Sequence, residues 1–281
     1  MEPSGLSRST LTRLLRTIDS HAEVAGFSIL GGQSFGDGES KVSTAGRAEV
    51  EVQCAGRPAA RMVIKLCRPD VALQPLYRNE VAFYRQVRPD LDLEIPAVFG
   101  ADFDEESGTF GLIMEDLRDR GAIFPNVTTA VTLTQVHSLL DLLARLHAHF
   151  WCHGDCHIGN TYLLPGDRGG LLDWQLTARG SWAHDISYLI ITALSVADRR
   201  NRERQLIRYY LDRLARYGVA QVPAEEEAWY EYRLAANWCL YIGWLTTPKT
   251  HYGWEITACN VIRLSAAVAD LGSVSLAADL P

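Results

Sequence analysis

Leu11, Leu14, Leu15 and Ile18 recur at i, i+3, i+4 and i+7, which predicts an amphipathic helix over 7–19 with Ser7 or Ser9 as its cap. The period then shortens to two. Ala48, Val50, Val52 and Cys54 alternate with Arg47, Glu49, Glu51 and Gln53, the pattern of a strand over 45–55. A turn at Ala55-Gly56-Arg57-Pro58 leads into a second strand over 61–67 that carries Met62, Val63, Ile64 and Leu66. A helix follows over 74–87, then a hairpin of strands 97–103 and 110–114 around Asp104-Glu105-Glu106-Ser107-Gly108. Beyond residue 115 the helical period dominates. Val136, Leu139, Leu140, Leu143, Leu146 and Phe150 mark one face of a helix over 133–150. Further helices are expected over 184–197, 199–217, 224–243 and 254–271, interrupted only by a short hairpin of 161–164 and 170–174. A strand-rich front and a helix-rich back predict an α+β protein of two lobes, a small antiparallel β lobe over 1–115 and a larger helical lobe over 116–281.

Composition narrows the function classes. The chain has 281 residues, 47% of them hydrophobic and 22% charged, which excludes a disordered, collagenous or coiled-coil protein. A formal net charge of −7 argues against nucleic acid as the main partner, because phosphate backbones need a basic face. No apolar run approaches the ~20 residues of a membrane span; the longest, 186–197, contains Ser187, Tyr188 and Thr192. The first residues, Met1-Glu2-Pro3-Ser4-Gly5, lack a basic-then-apolar signal pattern. Six cysteines scattered along the chain suggest reduced thiols and a cytoplasmic location.

The chemistry concentrates in His153-Gly154-Asp155-Cys156-His157-Ile158-Gly159-Asn160, followed by the short hairpin and Asp173-Trp174-Gln175. Asp155 and Asn160 share a loop that leads into a strand, and the hairpin returns Asp173 to the same place. One carboxylate can orient a hydroxyl nucleophile. A carboxylate and a carboxamide, both hard oxygen ligands, suit Mg²⁺ bridging phosphates.

His153-Gly154-Asp155-x-His157-x-Gly159-Asn160 with Asp173-Trp174-Gln175 resembles the aminoglycoside-phosphotransferase and choline-kinase superfamily. The Asp-Trp-Gln form and His184-Asp185-Ile186-Ser187-Tyr188 are most similar to its ecdysteroid-kinase-like (CHK kinase-like) branch. The resemblance runs over about residues 25–270 and implies a protein-kinase-like fold and an ATP- and Mg²⁺-dependent transfer of the γ-phosphate to a hydroxyl of a small-molecule acceptor. It implies that Asp155 is the catalytic base, that Asn160 and Asp173 hold Mg²⁺, and that Asp185 braces the catalytic loop; His153 itself reads as a structural histidine whose ring bonds the loop backbone. It also implies a hinge after the last front strand, at Met114-Glu115-Asp116-Leu117, where the backbone of Glu115 and Leu117 binds adenine. The chain departs from the family at one place. The long helical segment that helps form the acceptor pocket is missing between Trp151 and His153, where Cys152 stands alone. A non-catalytic, kinase-like nucleotide-binding module is therefore the alternative reading.

The front half offers an independent check. A kinase needs a strand Lys paired with a helix Glu. Lys65 ends Val63-Ile64-Lys65, where a lone ammonium would be costly, and Glu80 shares a helix face with Leu76, Phe83, Tyr84 and Val87. An acid inside an apolar stripe needs a partner, and Lys65 is the candidate. The bland alternative is a snorkelling lysine and a stripe-edge glutamate. Gly31-Gly32-Gln33-Ser34-Phe35-Gly36-Asp37-Gly38-Glu39 lacks the Lys-Ser/Thr of a Walker loop. It fits a loop between two strands whose backbone N–H groups, at Gly36 and Gly38, cover phosphates.

A zinc-dependent hydrolase is the rival for the core segment, since His147, His149, Cys152, His153, Cys156 and His157 crowd together. Against it, His147 and His149 belong to the preceding helix, and no second ligand pair at finger-like spacing follows. Trp182, Trp229, Trp238, Trp244 and Trp254 read first as packing between helices and second as a wall for an apolar acceptor. The Arg-rich run 198–216 reads as a solvated helix face.

Overall fold

The computed structural model describes residues 6–33, 45–66, 73–245 and 253–279. The chain divides into two compact units, Met1–Asp92 with Pro96–Arg120, and Leu93–Ile95 with Gly121–Pro281.

In the first unit, α1 (Arg8–Leu15) begins where Ser7 Oγ accepts the Thr10 N–H at 3.1 Å. It stops at Leu15, short of the expected residue 19. Thr17 Oγ1 donates to the Leu14 carbonyl at 2.7 Å and accepts the Ala101 N–H at 3.0 Å, which closes the helix into a turn. Ile18 is thereby thrown out of the apolar stripe and is 53% exposed. β1 (Val24–Gln33), β2 (Gly46–Cys54), β3 (Ala60–Leu66), β4 (Val98–Phe103) and β5 (Phe110–Glu115) form one antiparallel sheet in the order β1-β2-β3-β5-β4. Gly31, Gly32 and Gln33, expected in a loop, pair with Glu49, Ala48 and Arg47 as the end of β1. Gly36, Gly38 and Cys67 lie outside the described residues, as does the loop 246–251.

The alternation of β2 buries Ala48, Val50 and Val52 with Ile64 and Leu66 of β3 and with Leu11, Leu14 and Leu15 of α1. The helix lies so close to the sheet that a Cβ on Gly100 would stand 2.5 Å from the Leu14 carbonyl oxygen. α2 (Gln74–Ala82) carries Pro75 in its first turn and runs on into a π-turn, Phe83–Val87.

In the second unit, α3 (Leu133–Ala148) opens with a capping box between Thr132 and Gln135. Its Leu139, Leu140, Leu143 and Leu146 are fully buried, each stabilising by roughly 1.5–3 kcal/mol. Phe150 does not extend that face; it sits past the helix end at φ 63° and is 75% exposed. β6 (Thr161–Leu164) and β7 (Arg168–Leu171) make the short hairpin. α4 (Trp182–Ala193), α5 (Val196–Arg216), α6 (Glu225–Leu240) and α7 (Trp254–Leu271) follow, with α8 (Ser273–Ala278) as an unforeseen final helix. The expected solvated face of α5 holds except at a buried ion pair. Arg199 is 1% and Glu203 7% exposed; they pair at 2.6 Å, and Arg199 also meets Asp270 of α7.

The expected mixed α+β class, an antiparallel sheet ahead of a helical part, is what the chain adopts. No helix among the described residues is long and apolar enough to cross a membrane. The described cysteines, Cys54, Cys152, Cys156, Cys239 and Cys259, are all free thiols.

Candidate active site

Lys65 lies near the end of β3, between Arg47 of β2 and Leu112 of β5. Its Nζ is 2.7 Å and 2.8 Å from the two carboxylate oxygens of Glu80 on α2. Lys65 is 3% and Glu80 1% exposed, so each desolvated charge has its counter-charge inside the unit. The side chains where a hinge is expected are committed elsewhere. Glu115 Oε1 accepts the Ala97 N–H at 2.8 Å and the Arg120 guanidinium at 3.1 Å, and Leu117 is buried. Asp116 is held by Arg118, which also reaches Glu49 at 2.8 Å. The Arg118 hydrogen bond keeps the Asp116 carboxyl below the usual carboxylate range, against the opposing effect of burial.

In the second unit the loop 153–160 is gripped from beneath by α4. Asp185 Oδ2 accepts the His153 N–H at 2.6 Å, and Oδ1 accepts the Gly154 N–H at 2.8 Å. His147 Nε2 lies 3.0 Å from Asp185 Oδ2, and its Nδ1 lies 2.7 Å from the Tyr210 hydroxyl. Burial of Asp185 favours the neutral acid, but the His147 bond, the nearby His147 and His153 rings and the backbone donor outweigh it and hold the carboxyl below its ordinary value. The His153 ring bonds the Leu172 carbonyl through Nε2 at 2.7 Å and accepts the Asp155 N–H at Nδ1 at 3.3 Å. With one nitrogen donating and the other accepting, the ring is neutral, and burial lowers its pKa. Gly154 takes φ 83°, and a Cβ there would stand 2.2 Å from the Leu176 carbonyl oxygen.

Asp155, Asn160 and Asp173 are brought together by two short links. Asn160 Nδ2 donates to the Asp155 backbone carbonyl at 2.9 Å and to Asp155 Oδ2 at 3.0 Å, which turns Oδ1, the atom a cation needs, away from Asp155. Leu172 N–H donates to the Asn160 carbonyl at 2.8 Å, so the chain leaving β7 is tied to the loop one residue before Asp173. Asp173 is left-handed, at φ 63° and ψ 74°, a conformation uncommon outside glycine and often held at functional sites. Burial first, and then the Asp173 charge, push the Asp155 carboxyl well above the usual carboxylate range, partly offset by the Asn160 amide. His157, with Nε2 4.0 Å from Asp155 Oδ2, supplies no positive charge at neutral pH, because burial and the neighbouring His153 bring its pKa down to about 4. Two carboxylates and a carboxamide oxygen, all hard oxygen donors, form a set that fits a hard divalent ion.

The zinc candidates do not assemble as a set. Among the described residues the group compact enough to hold a metal is His147, Cys152 and Asp185. Its His147 and Asp185 atoms are already hydrogen-bonded to each other and to Tyr210, His153 and Gly154. The Cys152 thiol is pushed up to about 12 by burial and by Asp185, the wrong direction for a thiolate ligand. Cys156 is buried, and His157 caps the following turn by accepting the Gly159 N–H at 3.0 Å. The tryptophans divide. Trp182 stacks on Tyr210 at 5.3 Å and Trp229 on Tyr232 at 5.5 Å, whereas Trp238 is 36% and Trp254 73% exposed rather than in the core.

Three supporting roles escaped the sequence reading. Tyr210 and His147 support Asp185 from α5 and α3; the signal was a histidine on an apolar helix face. Thr192 of α4 accepts the Ile158 N–H at 3.0 Å, and a threonine in an apolar helix gives no such signal.

The sequence model of the ecdysteroid kinase-like family matches residues 149–220, which bears out the resemblance over that stretch. No curated protein matches the chain. Among solved structures the chain is similar to choline kinase LicA from Streptococcus pneumoniae, at 15% identity and a TM-score of 0.44 over 91% of this chain and 97% of that one. It is similar to LicA in complex with AMP at 14% identity and a TM-score of 0.46, covering 94% and 99%. Cex1p is similar at 11% identity and a TM-score of 0.38, covering 90% of this chain and 41% of that one.

Proposed function

We propose that the protein is an ATP- and Mg²⁺-dependent phosphotransferase that moves the γ-phosphate to a hydroxyl of a small-molecule acceptor. The observation that carries this reading is the cluster in which Asn160 bonds Asp155 while the Leu172 N–H ties the chain just before Asp173 to the Asn160 carbonyl. Phosphoryl transfer asks the protein mainly to position groups and neutralise charge. Asn160 Oδ1 and the Asp173 carboxylate would hold Mg²⁺, which would neutralise charge on the phosphate oxygens. Lys65, fixed by Glu80, contacts the α- and β-phosphates; the backbone of Glu115 and Leu117 receives adenine, and Gly36 and Gly38 cover the phosphates. Asp155 orients the acceptor hydroxyl and takes its proton as the new O–P bond forms and the bond from the γ-phosphorus to the bridging oxygen breaks, with ADP leaving. Asp185 and His153 keep the loop in shape. The chemistry requires a water-soluble nucleotide, in keeping with a cytoplasmic enzyme.

The test is turnover of ATP against a panel of hydroxylated metabolites, with nucleotide binding measured in parallel. Asp155→Asn is expected to abolish transfer and spare ATP binding. Equal turnover in that variant would remove Asp155 as the base. Nucleotide binding with no product from any acceptor would identify a non-catalytic module instead.

A further inference from the structure

We infer that Thr192 is a positioning residue for Asn160, an inference that rests on reading Asn160 and Asp173 as the Mg²⁺ ligands. Asn160 ends a single 3₁₀ turn, Ile158–Asn160, too short to hold its own shape. Most of the bonds that fix that turn come from the loop and its hairpin. His157 Nδ1 accepts the Gly159 N–H at 3.0 Å, the His157 carbonyl accepts the Asn160 N–H at 2.9 Å, Asn160 Nδ2 donates to Asp155, Thr161 Oγ1 donates to the Ile158 carbonyl at 2.8 Å, and the Asn160 carbonyl accepts the Leu172 N–H at 2.8 Å. These partners belong to the loop and its hairpin and move with them. A further bond, from the Ile158 N–H to Thr192 Oγ1 at 3.0 Å, ties the turn to the helix α4.

Thr192 is fully buried, and its hydroxyl donates to the Tyr188 carbonyl at 2.6 Å. A threonine bonding back to the i−4 carbonyl gains little for its helix. What the hydroxyl adds is an acceptor for Ile158. Asp185 and Thr192 are seven residues apart, two turns along one helix face. Asp185 holds the loop at His153 and Gly154, and Thr192 holds it at Ile158. The helix thus acts as a ruler of about 10 Å. It fixes where the loop begins and where the Asn160 turn begins, with Asp155 between the two grips. Partners that orient a metal ligand in this way commonly govern metal affinity although they never touch the ion.

Thr192→Val keeps the shape and removes the hydroxyl; Thr192→Ser keeps the hydroxyl. Binding of a non-hydrolysable ATP analogue is measured in a Mg²⁺ titration and again in EDTA, with Tm as a control on folding. Thr192→Val is expected to raise the half-saturating Mg²⁺ concentration about tenfold or more while leaving affinity in EDTA within about twofold, and Thr192→Ser to match the parent. In an Asn160→Ala background the Thr192→Val effect on Mg²⁺ is expected to vanish. An unchanged Mg²⁺ midpoint, an equal loss with and without Mg²⁺, or an effect that persists without Asn160 would overturn the inference. Parent protein whose analogue affinity is indifferent to Mg²⁺ would overturn the reading beneath it, and that result is visible before any Thr192 variant is made.

Discussion

The ammonium of Lys65 sits within 2.8 Å of both carboxylate oxygens of Glu80, and neither residue is more than 3% exposed. A buried pair of this kind adds little over an apolar pair of the same volume, but breaking it strands a charge. Glu80→Ala is therefore expected to cost about 3–5 kcal/mol in urea denaturation. The double variant Lys65→Met/Glu80→Leu is expected to recover most of that loss and to bind ATP far more weakly. Full ATP affinity in the double variant would remove Lys65 from the phosphates.

The carboxyl of Asp155 titrates well above the usual range, pushed first by burial and then by Asp173. A folded pKa above the unfolded one contributes stability below the unfolded value, 3.8, which is lost as pH rises through the folded pKa. Ionising Asp155 thus costs the native protein stability as pH rises. Asp155→Asn is expected to raise Tm at alkaline pH and to lose that advantage progressively as pH falls. Mg²⁺ is expected to raise the Tm of the parent more than that of the variant. A Tm difference independent of pH would mean that the Asp155 charge is not destabilising.

At Gly154 a side chain is excluded twice, by φ 83° and by the Leu176 carbonyl 2.2 Å from where a Cβ would stand. Gly154→Ala must shift the backbone that carries the two N–H donors to Asp185. Loss of transfer with a Tm lowered by several degrees is expected. Normal turnover in this variant would show that the loop tolerates displacement and that its geometry does not set the rate.

What the sequence made legible was whatever is local. The alternation in β2, the leucine stripe of α3 and the contiguous segment from His153 to Asn160 each carry their own period or spacing, and the elements formed where those patterns placed them. Readings failed where a partner far along the chain decides. Ile18 and Phe150 continue apolar stripes on paper, but Thr17 bonds Ala101, and Phe150 lies beyond a helix that has already ended. Gly31 and Gly32 look like a loop, yet β2 offers them a strand to pair with. In the candidate site, Asp155, Asn160 and Asp173 were readable from their spacing around one short hairpin, Glu80 from its place in an apolar stripe, and Asp185 from the motif it shares. The residues behind them were not: His147 meets Asp185 across 38 positions, and Thr192 meets Ile158 across 34.

The opposite sign of pH dependence is expected at Asp185. Burial opposes ionisation there, but the His147 bond, the nearby His147 and His153 rings and the His153 N–H together hold the carboxyl below 3.8. A depressed folded pKa contributes stability that is present above the unfolded value and is lost as pH falls through the folded one. Asp185→Asn replaces one acceptor oxygen by a donor, which must face either the Gly154 N–H or the His153 N–H and His147. The expected loss at neutral pH is about 3–5 kcal/mol, that of a buried ionic partner removed. Urea denaturation of parent and variant, repeated from neutral pH into the acid range, checks both parts. The gap should narrow only below 3.8, where the parent's own carboxylate takes up its proton. A gap that stays constant down to the most acid condition would mean that hydrogen-bond geometry alone, without the charge, holds His153 and Gly154 to α4.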